Sequence, residues 1–347
     1  MPYEIALYPG DGVGPEVVDE ARKTLEALRL DFRFTLFEWN TSLYQKIGAC
    51  APPDYLERLA PFDAILLGAL GNASRAPDHI SVEPLLGMRK GFDQYINIRP
   101  ALLYEGVDCP LENVRPGEID MIVIRENTEG EYTSLGGRHY EGSPYEAAMQ
   151  VNYFTRMGTE RIMRYAFETA RTRARRELTS ITKSNALRYS MVFWDSVLAE
   201  VAKDYPDVKC TSMLVDAAAM NFVRSPKMFD VVVASNLFGD ILTDLSAIIV
   251  GGMGFAGSAN LNPSRKFPSM FEPVHGSAPD IAGTGKANPI AAILSAAMMC
   301  EFLGENEAGA RIKRAVAAHL KEGSVKTPDR GGTGSTAQVG EDIRARL

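Results

Sequence analysis

The sequence predicts an α/β fold with largely parallel sheets, and three observations carry that expectation. Short apolar runs without polar alternation recur along the chain, the mark of strands buried on both faces. Turn residues bound each run, and stretches of helical periodicity lie between several of them. Strands and helices interleaved in this way build a parallel sheet covered by helices. No internal repeat or low-complexity segment breaks the pattern.

The runs follow in order. "EIALY" at 4–8 is the first strand, and "YPGDGVGPEVV" at 8–18 follows it with Gly10, Gly12 and Gly14. The phosphate-cradling fingerprint G-x-G-x-x-G needs a glycine at position 15, but Pro15 stands there and starts a helix over 15–28 instead. "DAILLGA" at 63–69, "IDMIVIRE" at 119–126, "LTSITKS" at 178–184 and "FDVVVASN" at 229–236 are the further strands. Helical spacing recurs at 158–173, 190–203 and 288–303. One region departs from the rhythm: 131–155 combines β-formers with Gly-Gly, Glu-Gly and Ser-Pro turn signals and reads as a hairpin excursion, serving subunit contact or simply the surface.

With 347 residues, 46% of them apolar, the chain is long enough for two domains or one large one. Lysine and arginine number 37 against 44 acidic residues, a net charge of −7 that argues against nucleic-acid or anionic-membrane binding. Cys50, Cys109, Cys210 and Cys300 are widely spaced without a C-x-x-C pair, which fits a reducing cytoplasm rather than a disulfide framework or zinc cage. Glu4 and Asp11 stand where a secretion signal would be apolar, and "AIIVGGMGFAG" at 247–257 is too short and glycine-rich for a membrane helix.

Four constellations offer chemistry. In "SNLFGDILTDL" at 235–245, a helix beginning near Gly239 puts Asp240 and Asp244 on one face. Such a pair is either a solvated face or, at the end of a strand in an α/β sheet, a site for Mg²⁺ or Mn²⁺, with Asp216 in "MLVDAAAM" as a third carboxylate. Arg89, Arg99 and Arg125, with Tyr132 nearby, suit a di- or tricarboxylic acid if they converge and are surface ion pairs if they do not. In "TKSNA" at 182–186, Lys183 closes a strand and Asn185 begins the next element; the lysine is a surface residue or, desolvated beside a metal, a general base. "FEPVHGSAPDIAGTGKANP" at 271–289 reads as a long ordered loop, in which His275 is structural or functional and Asp280 caps a turn or binds ribose hydroxyls.

With these residues in view, the chain resembles the isocitrate/isopropylmalate dehydrogenase family and, within it, the tartrate/D-malate branch. The resemblance runs through "YPGDGVGPEV", "FDAILLGALG", "NIRP", "RENTEGEY", "TKSNA", "NLFGDILTDL" and "EPVHGSAPDIAG" in order. It implies a two-domain fold with largely parallel sheets and a β-arm at the dimer interface, the large domain being 1–98 plus 251–347 and the small one 99–250, with the arm at about 131–155. It implies a homodimer with shared active sites, Lys183 and Asp216 reaching in from the neighbouring subunit.

For the site, the resemblance implies Arg89, Arg99 and Arg125 as the substrate clamp, Tyr132 and Lys183 as the acid/base pair, and Asp216, Asp240 and Asp244 as Mg²⁺ or Mn²⁺ ligands. NAD binding falls to Asn185, Glu272, His275, Gly276, Ser277, Ala278, Asp280 and Asn288, with Asp280 on the ribose. The reaction implied is NAD-dependent oxidation and β-decarboxylation of a malate-type 2-hydroxy dicarboxylic acid. Two departures matter. Tartrate/D-malate members usually carry a longer, tryptophan-containing stretch before the first arginine, whereas here Leu85 and Leu86 hold the Leu-Leu position of isopropylmalate enzymes, which opens a 3-alkylmalate alternative. Gly257 replaces a common proline and is expected to loosen its loop. A non-catalytic regulatory subunit would lack a metal carboxylate or the lysine, and this chain keeps them all.

Overall fold

The computed structural model describes residues 2–347. The chain runs β1 (Tyr3–Gly10), α1 (Gly14–Ala27), β2 (Phe32–Leu36), the short helices α2 (Tyr44–Ile47) and α3 (Tyr55–Leu59), β3 (Ala64–Ala69), α4 (Asp78–Ser81), α5 (Glu83–Gly91) and β4 (Ile96–Leu102). There follow β5 (Asp120–Glu126), β6 (Gly136–His139), β7 (Ala147–Gln150), α6 (Arg156–Thr172), β8 (Glu177–Thr182), α7 (Ser190–Val201), β9 (Lys209–Leu214), α8 (Val215–Arg224), β10 (Val231–Ala234) and α9 (Asn236–Ile249). The chain ends with β11 (Gly257–Leu261), β12 (Ser269–Pro273), α10 (Ile290–Leu303), α11 (Asn306–Glu322) and α12 (Thr336–Arg344).

Two compact units result, one of residues 1–94, 99–119 and 247–347, the other of 95–98 and 120–246. In the first, the strand order is β2-β1-β3-β12-β11, parallel except for the antiparallel β11–β12 pair. Every residue of β3 is buried, as an unalternating apolar run requires. Helix α10 is apolar on nearly all sides and packs against β11 and β12 inside the unit, where such a helix belongs. Its C-terminus closes on Gly304, at φ 100°.

The second unit orders its strands β5-β10-β8-β9, all parallel. Helix α6 starts where the Thr155 hydroxyl accepts from the Gly158 N–H at 2.9 Å. The excursion at 131–155 contains the antiparallel ribbon β6–β7, and all residues of both strands are exposed.

The expected strands correspond to β1, β3, β5, β8 and β10. Those not foreseen include β2 and β9, which lie at the ends of the strand order, are half exposed and therefore carry polar residues that dilute the apolar signal. Four expectations need correction. Residues 99–119 belong to the first unit, where Leu103 N–H donates to the Ile119 carbonyl at 3.0 Å and Cys109 Sγ to the Ile249 carbonyl at 3.1 Å. Helix α9 begins at Asn236 rather than near Gly239. Asn185 lies in the turn closed by Leu187 N–H on the Lys183 carbonyl, ahead of α7. Gly257 opens β11, not a loose loop: a Cβ there would meet Ser295 N at 3.0 Å and Leu294 Cβ at 3.1 Å, so glycine permits close packing on α10.

Candidate active site

In the second unit, Arg125 is the penultimate residue of β5, is 1% exposed, and lies across Gly239, where a Cβ would meet the Arg125 Cβ at 2.7 Å. A buried guanidinium must be paired. Arg125 Nη1 binds the Asp240 carboxylate, while Nε and Nη2 donate to Asn236 Oδ1 at 3.1 and 2.7 Å. Tyr132 Oη donates to Asp240 Oδ2 at 2.9 Å, and the Arg125 guanidinium stands 5.3 Å from the Tyr132 ring centre. Strand β5 and α9 thus bring Arg125, Tyr132 and Asp240 together. Asp244 follows one turn along α9 and is exposed.

Lys183 lies just beyond β8, and its Nζ donates to Asp216 Oδ1 at 3.0 Å, in the first turn of α8. That hydrogen bond holds the Asp216 carboxyl below its usual range. Among the described residues no group of three His, Cys, Asp or Glu side chains is gathered as a metal cage: Asp240 and Asp244 share a helix, and Asp216 lies against Lys183. The donor chemistry of these carboxylates suits a hard cation.

In the first unit, Arg89 of α5 is 4% exposed and donates through Nη2 to Glu272 Oε1 at 2.9 Å; Asn260 Nδ2 donates to the same oxygen at 2.8 Å. Among the described residues the Arg89 Nε has no partner, a buried donor suited to a ligand carboxylate. Glu272 therefore orients Arg89, whatever else it binds. Arg99 is buried in β4, and Leu85 and Leu86 are partly buried on α5. Gly87 leaves room for Tyr55, since a Cβ there would stand 1.7 Å from the Tyr55 hydroxyl and displace it.

The glycine-rich opening and the 274–289 loop form one surface. Gly12 has φ 58°, a Cβ on it would meet the Ser277 carbonyl oxygen at 1.8 Å, and Val13 N–H donates to that oxygen at 2.8 Å. His275 Nδ1 lies 2.9 Å from the Gly276 carbonyl, its Nε2 is buried without a partner, and burial pushes its pKa down. Burial thus favours the neutral ring, and with the proton on Nδ1 the Nε2 is an acceptor for a ligand N–H or O–H. Gly276 and Asp280 are exposed, and Ala278 takes a left-handed φ of 40°. This close backbone approach and orphaned acceptor fit an adenosine. Asn288 is engaged structurally: Nδ2 donates to Asp329 Oδ2 at 3.0 Å and Oδ1 accepts from Ile290 N–H at 3.1 Å.

Sequence reasoning missed Asn236, the guanidinium acceptor, and Asp329, the anchor of Asn288. Asn236 stands in the same motif as Asp240, so its place at the end of a strand was the available signal. Asp329 gave none, because its contact spans distant parts of the chain.

The isocitrate/isopropylmalate dehydrogenase family profile matches residues 4–343. The chain is 48% identical to a probable tartrate dehydrogenase/decarboxylase of Agrobacterium vitis, over 98% of this chain and 96% of the relative. It is 49% identical to the decarboxylating D-malate dehydrogenase of Escherichia coli, over 98% and 97%. Its fold is similar to the crystal structure of isocitrate dehydrogenase from Methylococcus capsulatus, with a TM-score of 0.90 at 36% identity and 99% of each chain covered. Sequence and fold agree along the whole length, and the chain belongs to the isocitrate/isopropylmalate dehydrogenase family of oxidoreductases.

Proposed function

We propose that the protein is an NAD-dependent, divalent-metal-dependent dehydrogenase that oxidises and β-decarboxylates a malate-type 2-hydroxy dicarboxylic acid, foremost tartrate or D-malate. The observation that carries this reading is the convergence of Arg125 and Tyr132 on Asp240. It joins a carboxylate-binding fork, a proton donor and a cation ligand in one cluster. The names of the tartrate and D-malate dehydrogenase relatives support the substrate class.

Asp240 and Asp244, with Asp216 from a second copy of the chain, supply hard oxygen ligands for Mg²⁺ or Mn²⁺, and the 272–288 residues with Asn185 hold NAD; bound there, these groups supply charge stabilisation and a hydride acceptor. Arg89, Arg99 and Arg125 bind the substrate carboxylates. Lys183, also from the second copy, takes the C2 hydroxyl proton. The resulting 2-oxo acid carries a carboxylate β to its carbonyl and loses CO₂, and Tyr132 delivers the proton that completes the product. From D-malate the products are pyruvate, CO₂ and NADH.

Exposed apolar residues support the homodimer: Tyr140, Tyr145 and Met149 on the ribbon segment, Met220 and Val223 on α8, and Ile241 on α9. The Lys183–Asp216 contact supports their delivery as a pair. Four free cysteines support a cytoplasmic setting. A second reading, a 3-alkylmalate dehydrogenase, draws on Leu85 and Leu86, which present apolar surface on the helix that carries Arg89.

Substitution of Lys183 by alanine tests the reading. Turnover is expected to fall by roughly 10²- to 10⁴-fold, the size of a general-base contribution, while calorimetric NAD affinity stays unchanged. Turnover near the wild-type rate would remove Lys183 from the base role.

A further inference from the structure

Glu131 takes no part in the chemistry proposed for this site. Its carboxylate accepts from the Ser235 hydroxyl at 2.9 Å through Oε1 and from the Leu237 N–H at 3.0 Å through Oε2. Both donors lie at the N-terminus of α9, whose first N–H groups lack intrahelical partners and whose dipole favours an anion. Ser235, placed to cap the helix itself, uses its hydroxyl as a donor, so Glu131 caps α9 from outside.

The next residue, Tyr132, places its hydroxyl 2.9 Å from Asp240 Oδ2, on the same helix. Behind Glu131 the Glu129 carbonyl accepts from Asn236 Nδ2 at 3.0 Å, and the Glu129 carboxylate accepts from Thr155 N–H at 2.7 Å and Thr155 Oγ1 at 2.5 Å. Between the two glutamates Gly130 turns at φ 83°, with space for a Cβ only 3.2 Å from Asn236 Cβ. The segment 129–132 is therefore fastened to the first turn of α9 on both sides of a left-handed glycine. Asn236, the residue that receives Arg125, sits within the same fastening.

We propose that Glu131 is a positioning residue for the protonation step: by locking the 129–132 segment onto the N-terminus of α9, it sets the Tyr132 hydroxyl against Asp240. This rests on the reading of Tyr132 as proton donor. A displacement of about 1 Å at a reacting group costs on the order of 10²-fold in rate. The effect belongs in kcat, since the Glu131 carboxylate bonds to Ser235 and Leu237 rather than to the arginines or the cofactor loop.

A double-mutant cycle on the full-length enzyme, with D-malate, NAD⁺ and Mn²⁺, tests this. Glu131→Ala is expected to lower kcat roughly 10- to 100-fold with the KM for D-malate nearly unchanged. Glu131→Gln, which keeps a carbonyl oxygen for the Leu237 N–H, is expected to recover most of the loss. In a Tyr132→Phe background Glu131→Ala is expected to add almost nothing, because residues that act as a unit are non-additive. Where the alanine variant fails to fold, Ser235→Ala removes one of the two donors and is read in the same cycle, with a smaller loss that again vanishes in the Tyr132→Phe background. Multiplicative losses, a wild-type kcat for Glu131→Ala, or an effect confined to KM overturn the proposal while leaving Tyr132 in its role. Undiminished turnover by Tyr132→Phe alone overturns the donor reading and the proposal with it.

Discussion

Glu126 illustrates how much a single residue in this chain depends on its surroundings. It follows Arg125 at the end of β5, is 1% exposed, and accepts hydrogen bonds from Thr128 N–H and Oγ1, both at 2.9 Å, and from Glu129 N–H at 2.8 Å. Burial outweighs these donors and pushes its carboxyl up from 4.5 to about 7. The sign follows from linkage: the proton is held more tightly in the folded chain, so the associated stability is complete below about 4.5 and is lost as pH rises through about 7. A shift from 4.5 to about 7 corresponds to roughly 3 kcal/mol at full expression. Denaturant unfolding of Glu126→Gln between these pH values should show that part of the slope removed; an unchanged slope would place the titration elsewhere. Arg125 and Asp240, which the structure brings together, could be singled out in the sequence because arginine and aspartate near strand ends are recognisable candidates for a site. Glu126, Glu131 and Asn236 were not, since their roles arise from burial and from contacts across about a hundred residues of chain.

At the scale of elements, two loops that look alike in composition have different duties. The 8–18 segment has glycines that suggest phosphate binding, yet Gly12 is required because it meets the Ser277 carbonyl, so the segment buttresses the 274–289 loop. Pro15 follows at the start of α1 and fixes where the loop ends. Gly12→Ala imposes left-handed strain of about 1–2 kcal/mol in addition to the collision, and should raise the KM for NAD⁺ roughly tenfold with the KM for the hydroxy acid unchanged. Equal changes in both constants would mean that the two loops are not a cofactor wall. Buried parallel strands were readable from their apolar runs. Outer strands and the bounds of α9 were not, because half-exposed strands mix polar residues with apolar ones and a helix N-terminus is set by its capping contacts.

For the whole molecule, the ribbon β6–β7 and the apolar faces of α8 and α9 are the features that a lone chain leaves unexplained. An isolated two-stranded ribbon is marginal in water, and in the proposed homodimer a second copy covers this one. Val151 N–H pairs with the Leu135 carbonyl at 2.9 Å, so an Asn-Gly turn in place of residues 136–150 removes both ribbon strands and rejoins the chain at that pair. That variant should sediment as a monomer and lose turnover while keeping its cooperative unfolding; an active dimer would remove the ribbon from the interface, and an active monomer would refute the shared site. The order of motifs along the chain makes the family legible in the amino-acid sequence alone, whereas the choice between a tartrate or D-malate and a 3-alkylmalate is encoded in no motif. The decisive measurement is NADH formation by the purified protein with NAD⁺ and Mn²⁺ against D-malate, meso- and L-tartrate, 3-isopropylmalate and isocitrate, with CO₂ release followed in parallel. The highest kcat/KM is expected with D-malate or a tartrate, and equal amounts of NADH and CO₂ from D-malate; turnover confined to 3-isopropylmalate, or with no acid at all, would contradict the proposed function.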